Sequence, residues 1–378
     1  MEDSRGWFGR KFERLQSRFS SHSGKLEKER KRFLLKNGSK LLEELITCCK
    51  DKCRCNPIRS FSAKQVLEAT DYFQSQFSVD YNSKWYKGTL DDRLVLVKKY
   101  HLNDNNEGYR DIAISCQMSS HKNVLKLLGC CLEFSDPVLV YEYVENGHLS
   151  GRGCIDFDGS YLSLPWKMRL KVAKDIANAI TYLHTTYLRP IIHRDIQPSS
   201  IFLDKDYVPK LCNFSLCIQI PEGENFVEDV VKGSFGFAEP TYIRTGCVTE
   251  HTDVYSFGAT LLVLVTGQGA YDRSRPQNEN PIGTYVANVI ENERFVEVVD
   301  PKILEEAEID YEVKSQVQAF LKLALRCVER RREDRPLILD VAKELVKIER
   351  STNWKDHITP SPHLVSSSLN HKGQGHRS

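Results

Sequence analysis

A lysine, an aspartate and an asparagine, residue types that can do chemistry, stand in short motifs spread along the chain. Lys98 ends the apolar run Val95-Leu96-Val97; the aspartate of His193-Arg194-Asp195 follows 97 residues later, and Asn213-Phe214-Ser215 begins 18 beyond it. Then come Gly233-Ser234-Phe235-Gly236, Thr252-Asp253-Val254-Tyr255-Ser256-Phe257-Gly258 and Asp334-Arg335-Pro336. An amine can pair with an anion, a carboxylate can take a proton and an amide oxygen can ligate a hard cation. Each motif alone is weak; their order and spacing carry the signal.

Such residues need a frame, and the hydrophobic pattern supplies one. Strand-like runs rich in Val, Leu and Tyr cover 84–87, 94–100, 124–128 and 138–144. Helical periods begin at Trp166 (Leu170, Val172, Ile176, Ile180, Leu183) and recur over 252–265, 313–327 and 337–348. A small strand-rich part followed by a large helical part reads as α+β. Ahead of it lies a basic, partly helical arm, 1–60, in which Leu41, Leu42, Leu45, Ile46 and Cys49 recur at helical spacing. Within the arm Asn37-Gly38 predicts a break and Ser39 a cap. A short helix with Val66, Leu67 and Ala69 is expected within 61–75, and the Ser-, His- and Pro-rich tail, 351–378, is expected to be disordered.

Composition excludes several classes. With 378 residues, 40% hydrophobic and 28% charged, the chain is neither fibrous nor mostly disordered. No apolar run approaches a bilayer span. The first twenty residues hold four arginines, one lysine and no apolar core, so no secretory signal is expected, and Glu2 excludes N-myristoylation. Twelve irregularly spaced cysteines point to reduced cytosolic thiols. The arm carries 16 Lys/Arg against 8 Asp/Glu and the remainder 37 against 43, a basic arm on a mildly acidic body. Such an arm suits an anionic membrane surface, an acidic partner or plain solvent. Cys48, Cys49, Cys53 and Cys55 lack paired zinc spacings, which leaves reversible acylation or unmodified thiols. The expected location is cytoplasmic, with at most peripheral contact at the inner face of the plasma membrane. No nucleic-acid partner is expected.

The ordered motifs closely resemble the protein kinase signature set over about 61–350. That resemblance implies a two-lobed fold, a small β-rich N-lobe and a large helical C-lobe, occupying 76–350. The phrases Leu127-Leu128-Gly129-Cys130-Cys131, Val138-Leu139-Val140-Tyr141-Glu142 and Trp166…Arg169-Leu170…Tyr182-Leu183-His184 resemble plant receptor-like kinases, and 61–75 resembles their juxtamembrane helix. Within that family the chain is similar to short cytoplasmic pseudokinases of the ZED-related group. The likeness lies in the basic head, Ile58-Arg59-Ser60-Phe61-Ser62, Lys84-Trp85-Tyr86-Lys87-Gly88 and Ile220-Pro221-Glu222-Gly223-Glu224. It implies an adaptor in plant innate immunity, held by a coiled-coil NLR receptor. It also implies recruitment of receptor-like cytoplasmic kinases, including ones modified by a pathogen effector.

Measured against the family pattern, the chemistry is depleted. The three phosphate-loop glycines fall at Ser78, Asp80 and Ser83, and a carboxylate about 4 Å from a phosphate costs roughly 4 kcal/mol near the surface. The metal-holding aspartate falls at Asn213, the second metal ligand at Ser200, and the lysine that meets the transferred phosphate at Gln197. Lys98 is retained as the one expected nucleotide contact. Its glutamate partner falls at Ile112, with Asp111 adjacent as a rescue by one residue. The scaffold residues His193, Arg194, Asp253 and Arg335 are kept. The glutamate that pairs with Arg335 falls at Thr241, with Glu239 displaced, which predicts a looser activation segment. Asp195 is retained without a positioned phosphate to act on. The expected protein has no metal and no cofactor beyond residual ATP binding, and contacts its partner through Pro221, Glu222, Phe226, Phe235 and Phe237. The alternative is a weak serine/threonine kinase.

Overall fold

The computed structural model describes residues 3–48, 58–74, 76–79, 83–100, 106–157, 160–276 and 278–351, with the side chains of 3–23, 48, 78, 79 and 157 left aside. Asp80, Cys49, Cys53, Cys55 and the tail after 351 lie outside the described residues, as does any account of the Cys48 side chain.

The small lobe is a six-stranded sheet in the order β1-β5-β6-β4-β3-β2. Its strands are β1 (Arg59–Ser60), β2 (Gln76–Val79), β3 (Ser83–Leu90), β4 (Arg93–Tyr100), β5 (Leu127–Cys131) and β6 (Val138–Glu142). β3 and β4 form a hairpin in which Trp85 stands opposite Lys98. Strand expectations hold closely except at β5, which starts at Leu127 because the chain at Val124 bridges to Leu211 of the large lobe.

α1 (Asp3–Cys48) precedes β1, α2 (Ala63–Ala69) lies between β1 and β2, and α3 (Glu107–Met118) packs on the sheet. Ser62 and Gln65 form a capping box at the start of α2. Phe61, Val66, Tyr86 and Val140 bury against one another beneath it. The expected break at Asn37-Gly38 does not occur: α1 is continuous. Asn37 is fully buried, and its amide donates to Leu132 O at 2.9 Å and Phe134 O at 2.8 Å while accepting from Tyr109 Oη at 2.7 Å. Three tertiary hydrogen bonds outweigh the weak helix preference of asparagine.

The large lobe contains α4 (Trp166–Thr185), α5 (Pro240–Thr245), α6 (Glu250–Thr266), α7 (Ile282–Glu291), α8 (Phe295–Val298), α9 (Pro301–Ile309), α10 (Tyr311–Cys327) and α11 (Ile338–Arg350). α6 is buried along almost its whole length, as its all-round apolar sequence requires. Trp166, Ile176, Ile180, Phe257, Leu261 and Phe320 belong to one continuous core. Among the described residues no helix is long and apolar enough to cross a membrane.

Candidate functional site

The cleft between the lobes collects the residues singled out by spacing. β4 delivers Lys98, α3 delivers Asp111, and the turn entering the segment Phe214–Leu216 delivers Asn213. Lys98 Nζ donates to Asp111 Oδ2 at 2.8 Å and to Asn213 Oδ1 at 2.7 Å, with both Lys98 and Asp111 side chains wholly buried. The partner of Lys98 is therefore Asp111 and not a residue at Ile112, which packs in the core. The shorter acid reaches the lysine from one position earlier on the helix. It also accepts from Tyr100 Oη at 2.6 Å and Phe214 N at 3.1 Å. Burial pushes the Asp111 carboxyl up, but Lys98, Tyr100 and the Phe214 amide together hold it below the usual range.

Around Lys98 the cleft is lined with aromatic rings. Trp85 lies 5.3 Å and Tyr100 4.8 Å from its ammonium. Trp85 reaches across to Phe202 of the large lobe at 5.0 Å between ring centroids, and Phe77 stacks on Phe202 at 6.3 Å. Small-lobe and large-lobe side chains thus touch beside the lysine. Nothing in the motif spacing pointed to Phe202; the bulk of Trp85, immediately after the lost glycine positions, was the available signal.

Asp195 is turned inward. Its Oδ1 accepts from Ser234 N at 2.9 Å, and its Oδ2 from Gln197 Nε2 at 3.0 Å and Asn213 Nδ2 at 3.5 Å. Burial raises its carboxyl above the usual value, only partly offset by Ser234, His193 and Gln197. Ser200 is buried and donates to Asp195 O at 3.1 Å. Asn213 Oδ1 is already engaged by Lys98 and by Ser215 Oγ at 3.2 Å. The two positions that would ligate magnesium thus offer no carboxylate, and their oxygens serve internal bonds. Ser78 lies on β2 and Ser83, buried, begins β3. This donor set does not fit a magnesium-loaded triphosphate.

Below the cleft the frame is tightly bonded. Asp253 on α6 accepts from His193 N at 2.7 Å, Arg194 N at 2.8 Å and His184 Nε2 at 2.9 Å. His193 packs edge-on to Phe214 and donates through Nε2 to Cys212 O at 3.1 Å. The end of the activation segment is not loose. Arg335 has a partner, Glu239, at 2.7 Å, and Arg332 adds a second cation at 2.6 Å. Thr241 lies on α5; the acid that counts is Glu239, the N-cap residue of α5 just before Pro240. Burial raises the Glu239 carboxyl, and the hydrogen bonds and charges of Arg332 and Arg335 more than reverse this, leaving it lowered.

From Pro221 to Phe235 the segment is at the surface. Pro221 and Glu222 are exposed, as are the apolar Phe226 (45%), Val230 (73%) and Phe235 (72%). Phe237, expected as a partner contact, belongs instead to the large-lobe core and is 7% exposed. A groove of about 730 Å³ opens behind the segment, lined by Phe226, Ile220, Pro190 and His251 among others.

This two-lobed frame with a lysine–acid pair and an aspartate-anchored catalytic loop is that of a protein kinase. Residues 83–346 match the family model described as protein kinase domain, and the chain belongs to that family. More narrowly, it is one of the ZED-related pseudokinases. It is 46% identical over 336 residues to the Arabidopsis thaliana protein named non-functional pseudokinase ZED1, covering 86% of this chain and 99% of that protein. Non-functional pseudokinase ZRK2 from the same plant is 43% identical over 347 residues, covering 87% and 96% of the two chains. A third relative there, 44% identical over 331 residues and covering 85% and 93%, carries the name serine/threonine-protein kinase ZRK1.

Proposed function

We propose that this chain is a kinase-fold adaptor of plant innate immunity that no longer transfers phosphate. In this reading a coiled-coil NLR receptor holds it in the cytoplasm, and the activation segment recruits a receptor-like cytoplasmic kinase, including one altered by a pathogen effector. One observation carries it: an activation segment fixed at both ends presents Phe226, Val230 and Phe235 to solvent, while the cleft that would act on ATP is filled by its own side chains. Exposed aromatic and aliphatic groups along one surface segment are the residue types that enrich an interface core. The outward stripe of α1, with Leu35 77%, Leu42 58% and Ile46 58% exposed, supports a small-lobe face for the receptor. No metal, no stably bound nucleotide and no nucleic acid enter this scheme. Membrane contact, if the basic arm makes it, is peripheral.

The test is co-purification with the partner kinase from plant tissue, comparing wild type with a Phe226→Ser, Phe235→Ser double variant. Recruitment is expected to fall by at least about tenfold, since buried aromatic anchors dominate interface energy, while the receptor stays bound. Undiminished recruitment would sink the assignment of this segment.

A second reading, a weak serine/threonine kinase, draws support from the Lys98–Asp111 pair, which restores one element of active kinases. A third reading, nucleotide binding without turnover as a minor addition to the adaptor role, requires a thermal shift that depends on Lys98 and no transfer of label.

A further inference from the structure

The activation segment of this chain is held by a residue whose charge is permanent. Arg194 of the catalytic loop is wholly buried and stands at φ +67, a left-handed backbone that an arginine adopts only when its surroundings impose it. Its backbone amide is fixed by Asp253, and its guanidinium donates through Nη1 to Asp229 Oδ2 at 2.7 Å and to Tyr242 Oη at 3.4 Å. Tyr242 Oη in turn donates to Val230 O at 3.0 Å and accepts from Lys232 N at 2.8 Å. Asp229 N donates to Gly246 O at 3.0 Å, beside the two-stranded pairing of Val227–Glu228 with Cys247–Val248. Lys232 Nζ reaches Glu107 of α3 at 3.0 Å. Two charge-assisted bonds therefore hold the middle of the segment, Arg194–Asp229 at its centre and Lys232–Glu107 beside it, with the neutral bonds arranged round them.

Kinase activation segments are commonly ordered when a phosphoryl group is added and paired with an arginine. Here a carboxylate already occupies the arginine. Its fit is partial: Arg194 Nη2 is buried without an acceptor among the described residues. A carboxylate brings two oxygens where a phosphoryl group brings three, and only one of the two reaches Nη1.

We propose that Asp229 is a built-in substitute for a phosphoryl group, which keeps the recruiting surface assembled without phosphorylation. This rests on reading that segment as the recruiting surface. A protein that is always ready needs no upstream kinase, and control passes to the state of the partner.

Hydrogen–deuterium exchange on the full chain tests this, using wild type, Asp229→Ala and Asp229→Glu, each before and after phosphatase treatment. Asp229 is a third exposed, so its replacement leaves the core packing alone, and unchanged exchange in α6 confirms the fold. The expected result is that amides of 221–237 exchange about tenfold or more faster in Asp229→Ala, stay near wild type in Asp229→Glu, and ignore phosphatase. Equal exchange in Asp229→Ala and wild type would overturn the proposal, as would a wild-type segment that loosens on phosphatase treatment. A loosened Asp229→Ala segment that still recruits the partner kinase fully would uphold the anchor and defeat the recruiting surface instead.

Discussion

The frame beneath the catalytic loop and the cleft above it use the same residue types to opposite ends. In the frame, Asp253 and Glu239 spend their oxygens on backbone amides and arginines, so each carboxylate ties two or more elements together. In the cleft, the oxygens of Asp195 and Asn213 accept from Gln197, Ser234 and Lys98, neighbours within the same site. The difference teaches that one fold can keep its buried charge in the frame while the polar groups of its cleft are bonded to one another.

The contrast breaks most visibly in the frame. Glu239→Gln leaves Arg335 and Arg332 without their counter-charge, and a lost partner in a buried pair costs about 3–5 kcal/mol. Urea unfolding is expected to show a loss in that range; a change below about 1 kcal/mol would mean that the pair is not structural. Trp85→Val acts on the cleft. It removes a buried ring, at a cost of about 2–4 kcal/mol, and opens the space beside Lys98. An adenosine nucleotide should then raise the unfolding temperature of the variant while leaving wild type unmoved. If wild type responds as strongly, the rings do not fill the site.

Asn37→Ala probes the docking of α1 and should cost about 1–3 kcal/mol, with faster proteolysis of α1 before global unfolding. Unchanged cleavage would assign α1 to other contacts. The smallest effect is a pH dependence. The Asp195 carboxyl is raised, so its charged form weighs against the folded state above that pKa, and the penalty fades as pH falls through it. Asp111 and Glu239 are lowered, so they add stability above about pH 4 and lose it on further acidification. Against wild type, Asp195→Asn should therefore gain relative stability at neutral pH and lose that advantage as the solution is acidified through the raised Asp195 pKa. A difference that stays flat with pH would show Asp195 unperturbed.

Motif order made the lobes, the long helices and the Asp253 anchor legible, because those rest on local period and on one residue each. Where a partner comes from another element, counting along the chain failed by one or two residues. Lys98 meets Asp111 rather than position 112, and Arg335 meets Glu239 rather than position 241, since the phase of α3 and the N-cap of α5 decide which side chain arrives. Asn37 looked like a breaker because its three partners lie on α3 and the loop after β5, about 70 or more positions away. The Trp85–Phe202 contact joins residues of different lobes, which no local pattern encodes.

The central claim is that the cleft does not pass phosphate on. Incubation with magnesium and γ-labelled ATP, comparing wild type with Asp195→Ala and Asn213→Ala, tests it most directly. No label above the level of the two variants is the predicted result. Incorporation by wild type that disappears in both would contradict it.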